Sequence, residues 1–228
     1  MELDFWHQRW LRGETAFHQP HINPWLGYYY GIEGPPVHKR SELRVFVPLC
    51  GKTADMAWLV QNGFGVVGVE CSNIAVQDFF REQGLQYRLE QSDRFDHYIG
   101  DRIEILHGDF FELRPDDLGE VSDVFDRASL IALPPEMRAD YVCKLSALLP
   151  VGTRTLLITL SYPQHEMDGP PFSVDDAEVM RLYSENFRID KLAAKDALAQ
   201  EPRFMQRGLT ALTETAYKLT LEKPVRDP

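Results

Sequence analysis

The sequence predicts an α/β protein: a mostly parallel sheet with helices on both faces. Short apolar runs rich in β-branched residues, such as residues 43–48 (LRVFVP) and Gly65–Glu70 (GVVGVE), are too short for helices and read as buried strands. Between them lie capped stretches of helical length with one apolar face. Strand and helix alternate, and strand–helix–strand repeats close as right-handed crossovers between parallel strands.

Residues 1–40 precede this rhythm. They hold Trp6, Trp10, Phe17, Trp25, Tyr28, Tyr29 and Tyr30, with Pro20, Pro24, Pro35 and Pro36. That is too aromatic for a disordered tail and too broken by proline for one long helix. The segment packs onto the body of the domain, and its sharper reading is a lid over a site.

After the first strand, residues 53–62 form a helix, capped by Thr53, with Met56, Ala57, Leu59 and Val60 on its apolar face. Gly65–Glu70 is the second strand. Residues 72–83 are a helix with Ser72 or Asn73 as cap and Gly84 as stop. A polar stretch over 85–101 leads to a third strand at 102–106 and a fourth at 121–126. The Pro134-Pro135 pair starts a helix running to Leu148. Residues 153–162 (TRTLLITLSY) make a long fifth strand, and 173–186 a helix capped by Ser173. Residues 189–192 and 211–221 read as strands. The last alternates apolar and polar residues, which suits an antiparallel member with one half-solvated face.

Composition bounds the function. The chain has 228 residues, 24 Lys+Arg against 35 Asp+Glu and a net charge of −11, with 44% hydrophobic residues. That is a globular chain long enough for a real core, read as a single domain over 1–228. The acidic balance and the lack of a dense Lys/Arg run argue against nucleic acid as a partner. No stretch approaches the roughly 18 apolar residues of a membrane span, so no membrane partner is expected. Cys50, Cys71 and Cys143 are widely spaced, with no C-x-x-C, so no disulfide framework or zinc site is expected. His18-x-x-His21 is the only close histidine pair, and Pro20 makes it poorly helical, so no metal is expected. The start lacks a secretory pattern, and a reduced, cytoplasmic setting follows.

Two motif matches fail on context. Gly51-Lys52-Thr53 resembles the end of a phosphate loop, but Phe46 stands where that loop needs its first glycine. Gly63-Phe-Gly65-Val-Val-Gly68 is a literal G-x-G-x-x-G, yet it leads into a strand instead of opening a helix. What survives is positional. In parallel sheets ligands bind beyond the carboxyl ends of the strands. There stand the loop from Pro48 to Asp55 with Gly51, the carboxylate Glu70, Gly108-Asp109-Phe110-Phe111, and Asp126-Arg127. Each alone reads equally as a turn, a surface carboxylate or a salt bridge. All four in order suit an adenosine-containing cofactor: Glu70 for two ribose hydroxyls, Asp109 for the adenine edge and an aromatic for its face. The missing phosphate loop favours S-adenosylmethionine over NAD or ATP.

The chain resembles the thiopurine S-methyltransferases, and looks like a bacterial member. The resemblance rests on Trp6-x-x-x-Trp10-x-x-Gly13-x-Thr15-Ala16-Phe17-His18 and on Val45-Phe46-Val47-Pro48-Leu49-Cys50-Gly51-Lys52. Val67-Gly68-Val69-Glu70, Asp126-Arg127-Ala128-Ser129-Leu130 and Gly169-Pro170-Pro171-Phe172 complete it. It implies a class I methyltransferase fold, Rossmann-like, with a seven-stranded sheet and an N-terminal covering segment. It implies that Trp10 covers S-adenosylmethionine, that Leu49 and the loop at Gly51 contact its methionine end, that Glu70 holds the ribose, and that Asp109 and Phe110 border the adenine. Arg127 is implied at the methyl-transfer side, near cofactor and substrate, and Phe17 in the acceptor pocket. A late arginine is also implied, with Arg203 and Arg207 as candidates. The partner expected is a small-molecule thiol, acting on a monomer; bacterial relatives are associated also with selenium and tellurium compounds. Two other readings remain: an NAD-dependent oxidoreductase, and a non-catalytic nucleoside-binding domain.

Overall fold

Three apolar residues, Val45, Phe46 and Val47, suffice for β1 (Arg44–Val47), because it lies between two neighbouring strands. It pairs in parallel with β2 (Gly65–Glu70), Val45 opposite Val66, and with β6 (Asp123–Arg127), Val45 opposite Asp123. β2 pairs in parallel with β5 (Ile103–His107), which puts Glu70 opposite His107 at the carboxyl end. Burial on both faces explains the near-continuous Val/Ile/Phe runs of these strands. The computed structural model describes residues 3–15, 19, 21–32 and 34–224. The chain divides into two compact units, Met1–Val124 and Phe125–Pro228.

In the first unit the crossovers are α3 (Ala54–Gln61) and α4 (Asn73–Gln83). Thr53 caps α3 by accepting from the Asp55 amide, and Ser72 caps α4 by accepting from Ala75, as their positions before the apolar faces predict. The aromatic N-terminal stretch resolves into α1 (Leu3–Leu11) and α2 (Pro24–Ile32). Asn23 anchors the second, its amide donating to buried Asp55 at 2.7 Å. The polar stretch over 85–101 carries a hairpin that sequence periodicity does not reveal. β3 (Arg88–Gln91) and β4 (Asp96–Ile99) run antiparallel, and β4 docks antiparallel on β5 with Asp96 opposite His107. β3 is exposed along its whole length, so no apolar alternation marks it. This hairpin raises the described strands to nine, where a seven-stranded sheet is expected; the parallel core flanked by helices is as expected.

The second unit holds α6 (Pro135–Leu148), following the short α5 (Pro115–Leu118) of the first, and three strands in antiparallel pairing. β9 (Thr213–Leu221) lies between β7 (Arg154–Ser161) and β8 (Phe187–Asp196), pairing antiparallel with both. β8 is longer than residues 189–192 suggest, because β9 continues to supply hydrogen-bond partners beyond the apolar patch. The helix expected at 173–186 is shorter: α7 (Asp176–Tyr183) is capped by Asp175, not Ser173. Ser173 Oγ instead accepts from the Tyr162 amide. Between β8 and β9, α8 (Pro202–Gln206) carries Phe204 into a cluster with Tyr162, Met167, Leu209 and Leu212.

Candidate active site

Glu70 ends β2 and is only 6% exposed. Its Oε2 accepts from the Gly51 amide at 2.8 Å and its Oε1 from the Ser72 amide at 2.8 Å, with Cys71 Sγ at 3.4 Å. Burial pushes its carboxyl up from the ordinary glutamate range; the two amides and the Cys71 thiol pull the other way. Ser72 is also the cap of α4, so the carboxylate sits at that helix's positive end. Two carboxylate oxygens have about four lone-pair directions, of which the two amides and the Cys71 thiol take three. Acceptor capacity for a hydroxyl donor remains.

The loop after β1 is bound to this acid by main-chain geometry. Cys50 N donates to Val69 O at 2.9 Å, and Gly51 N reaches Glu70. Leu49 has φ 43° and Gly51 φ 53°. Glycine takes that conformation freely; a leucine there is strained, and such strain clusters at ligand clamps. A side chain added at Gly51 would meet the Trp10 ring at 3.4 Å, so α1 lays its tryptophan on this loop. One turn earlier, His7 Nε2 lies 2.7 Å from Cys71 O. A carbonyl only accepts, so Nε2 carries the proton. Trp10 and His7, at i and i−3 on one helix face, thus dock α1 on the loops after β1 and β2.

The loop after β5 completes the set. Gly108 N donates to Glu70 O at 3.0 Å, and Asp109 accepts from Phe111 N at 2.9 Å through Oδ1. Phe110 is buried and meets Phe111 edge-on at 5.3 Å; Phe111 keeps part of its ring exposed. Leu49, Gly51, Glu70, Asp109, Phe110 and Trp10 therefore all belong to the first unit, on or against the carboxyl ends of β1, β2 and β5.

Both misleading motifs have a structural account. Lys52 is held by α4, its Nζ 2.6 Å from Glu82 and 3.5 Å from Asp78. Gly63 makes the helix-to-strand turn with φ 93°, and a side chain on Gly68 would strike Cys50 Sγ at 2.8 Å.

In the second unit Arg127 is the last residue of β6 and half-buried. Asp126 before it turns inward: Oδ2 accepts from Tyr141 OH at 2.7 Å, and burial lifts its carboxyl to about 6. Ala128 follows with φ 70°, a second strained residue at a strand end. Of the late arginines, Arg203 Nε is 3.0 Å from a Glu201 carboxylate oxygen with its guanidinium over the Phe204 ring, and Arg207 is exposed after α8. Phe17 and His18 lie outside the described residues. His7 is the residue sequence reasoning missed, and its i, i+3 spacing from Trp10 was the available signal; Ser72, read from sequence only as a helix cap, is two residues after Glu70 and donates its amide to that acid.

A family model described as thiopurine S-methyltransferase matches residues 1–222. The chain belongs to the thiopurine S-methyltransferase family. It is 47% identical to the thiopurine S-methyltransferase of Nitrosospira multiformis over 96% of this chain and 98% of that one. It is 45% identical to the Pseudomonas entomophila enzyme, over 96% and 100%. Among solved structures, a SAM-dependent methyltransferase from Anabaena variabilis superposes with a TM-score of 0.63 at 13% identity, over 96% of this chain and 95% of that one. The Burkholderia thailandensis 1,6-didemethyltoxoflavin-N1-methyltransferase, solved with S-adenosylhomocysteine, gives a TM-score of 0.61 at 14% identity, over 96% and 87%. These two show the fold: a mixed α/β sheet with a parallel core, of class I methyltransferase type. No described helix is long and apolar enough to cross a membrane.

The residues present fit an adenosyl ligand. A buried carboxylate with an acceptor position left suits a ribose hydroxyl, and the glycine loop hydrogen-bonded to it, under an aromatic cover, suits a methionine chain whose sulfur is a sulfonium. The Gly51 amide, which a phosphate loop would turn toward a pyrophosphate, is taken by Glu70 instead.

Proposed function

We propose that this chain transfers the methyl group of S-adenosylmethionine to the sulfur of an aromatic or heterocyclic thiol, thiopurines included. The supporting observation is its 47% identity to a thiopurine S-methyltransferase across nearly the full length of both chains. Family membership sets aside the dehydrogenase alternative. A single domain over 1–228, monomeric and cytoplasmic, with residues 1–40 as cover, goes with this reading.

When bound, S-adenosylmethionine supplies a methyl on a sulfonium whose leaving group is neutral, so the protein need provide no acid. Glu70 holds the ribose hydroxyls, and the loop at Leu49 and Gly51 holds the methionine end. Asp109 and Phe110 border the adenine, and Trp10 closes over the cofactor and excludes water, which strengthens charge effects inside. Arg127 favours the anionic form of the acceptor sulfur and keeps it deprotonated; aromatic thiols are acidic enough to need no stronger base. Holding both partners in line accounts for about 7–11 kcal/mol of barrier lowering. Phe17 lines the acceptor pocket.

The test is transfer of labelled methyl to a panel of mercaptopurines, thiophenols and selenite, with calorimetric titration of S-adenosylhomocysteine and NADH. Label on a thiol sulfur and binding of S-adenosylhomocysteine alone are expected. Binding without transfer to any acceptor would leave a nucleoside-binding domain instead.

A further inference from the structure

Gly169-Pro170-Pro171-Phe172 stands out in the sequence, yet none of the roles assigned above uses it. It lies in the loop after β7, and this loop is fastened to the loop after β6, which starts at Arg127. Phe172 N donates to Ile131 O at 2.7 Å. Tyr162 OH donates to Pro171 O at 2.5 Å, and Ser173 N donates to Gln164 Oε1 at 2.8 Å. A side chain at Gly169 would enter the Phe172 ring at 2.5 Å, so the loop wraps that ring closely.

One side chain spans both loops. Arg138, on the first turns of α6, is 1% exposed. Its Nε donates to Leu133 O at 3.0 Å, at the end of the loop from Arg127. Its Nη1 donates to Ser173 O at 3.2 Å and to Glu178 Oε2 at 2.5 Å, and its guanidinium lies 5.9 Å from the Phe172 ring. Nη2 is buried without a hydrogen-bond partner among the described residues. Burying a guanidinium so incompletely satisfied is costly. An apolar side chain of that size would avoid the cost but could not bridge two carbonyls from two loops. Arginine's planar fork can; a lysine's point charge fits less well.

We infer that Arg138 is a positioning residue for the thiol acceptor: it holds the 169–173 segment against the turn that follows Arg127. The inference rests on the methyltransferase reading. Arg127, the residue assigned to the acceptor sulfur, ends β6, and the loops that Arg138 joins leave the ends of β6 and β7. Ligands in such sheets lie beyond those ends. Arg138 itself, being buried, acts through the loops it joins.

The test compares R138M, R138K and E178A with the wild-type enzyme. The measurements are KM and kcat for a mercaptopurine, calorimetric titration of S-adenosylhomocysteine, and hydrogen exchange at Phe172 and at Val174, whose amide donates to Leu160 O at 2.8 Å. R138M is expected to raise the acceptor KM about tenfold or more, the equivalent of one charged hydrogen bond. R138K should recover part of that, S-adenosylhomocysteine affinity should stay within about twofold, and the two amides should exchange faster. E178A leaves Arg138 in place and should shift the acceptor KM the same way by less, which keeps the test open where R138M fails to fold. Unchanged acceptor KM with unchanged exchange in R138K overturns the inference. So does an equal loss of cofactor affinity, the mark of a merely structural role. A wild-type chain that methylates no thiol overturns the functional reading and this inference together, whereas an active wild type beside an indifferent R138K overturns the inference alone.

Discussion

Replacing Glu70 by glutamine separates the binding role of this acid from its packing. In the free protein the two carboxylate oxygens accept from two amides, Gly51 and Ser72, each at 2.8 Å. Glutamine offers one oxygen and one NH2, so one amide then faces a donor. A hydrogen bond to a charged group is worth about 1.5–3 kcal/mol. Against that, burial already penalises the ionised form of Glu70, and a neutral side chain escapes this penalty. The two effects oppose one another, and the fold is expected to survive with a modestly lower melting temperature. Ligand binding has no such offset: a hydroxyl bonded to the carboxylate loses its charged acceptor. The same 1.5–3 kcal/mol corresponds to roughly 10- to 150-fold in the dissociation constant for S-adenosylhomocysteine. Calorimetric titration at neutral pH measures it. A second signature follows from protonation. Burial raises the Glu70 carboxyl, so the charged acceptor is lost on acidification at a higher pH than for an ordinary glutamate. Wild-type affinity should therefore weaken on acidification before the ordinary glutamate range is reached, and Glu70→Gln should lack that weakening. Binding within twofold of wild type would falsify the ribose assignment.

Other residues give independent tests. Trp10→Ala is expected to weaken S-adenosylhomocysteine binding by about tenfold or more while unfolding stays cooperative; unaltered affinity would remove Trp10 from the cover. Arg127→Ala should depress turnover with an aromatic thiol far more than cofactor affinity, and equal losses in both would contradict an electrostatic role at the acceptor sulfur. Asp126 carries a pH signature of its own: burial lifts its carboxyl from 3.8 to about 6, so between those values the folded state binds more protons than the unfolded one. Stability should fall as pH rises through that window, by about 3 kcal/mol from this group. Asp126→Asn should flatten that decline in urea titrations at pH 4 and 7, and an unchanged slope would count against the buried carboxylate as its source.

Legibility of the fold tracked burial. β1, β2 and β6 are covered on both faces, and their apolar runs announce them in the sequence. The hairpin of β3 and β4 escaped because its outer strand is solvent-exposed and its apolar pattern correspondingly absent. Ser173 looked like a helix cap by type, but its hydroxyl accepts from Tyr162, and Asp175 caps α7 instead. Residue type proposes a cap; only the path of the chain selects which candidate faces the free amides. Of the residues proposed for the cofactor, Leu49, Gly51, Glu70, Asp109 and Phe110 were legible by position, since each ends or follows a recognisable strand; Trp10 stands on α1, ahead of them all. His7 was not, because its partner is a main-chain carbonyl 64 residues away.

What the sequence by itself determined is the order of the buried strands and the helices between them, the acid and aromatics at the strand ends, and the family. Each depends on local pattern or on contiguous motifs, which the chain carries without folding. The tertiary structure decided how those residues are satisfied. Glu70 acquires two amide donors from different loops, Leu49 and Ala128 are held in strained conformations, and Arg138 is buried across two loops. Hydrogen-bond partners and burial belong to groups distant along the chain, so no local pattern specifies them. The same holds for the net charge of −11, which says nothing of which acids and guanidiniums the fold buries.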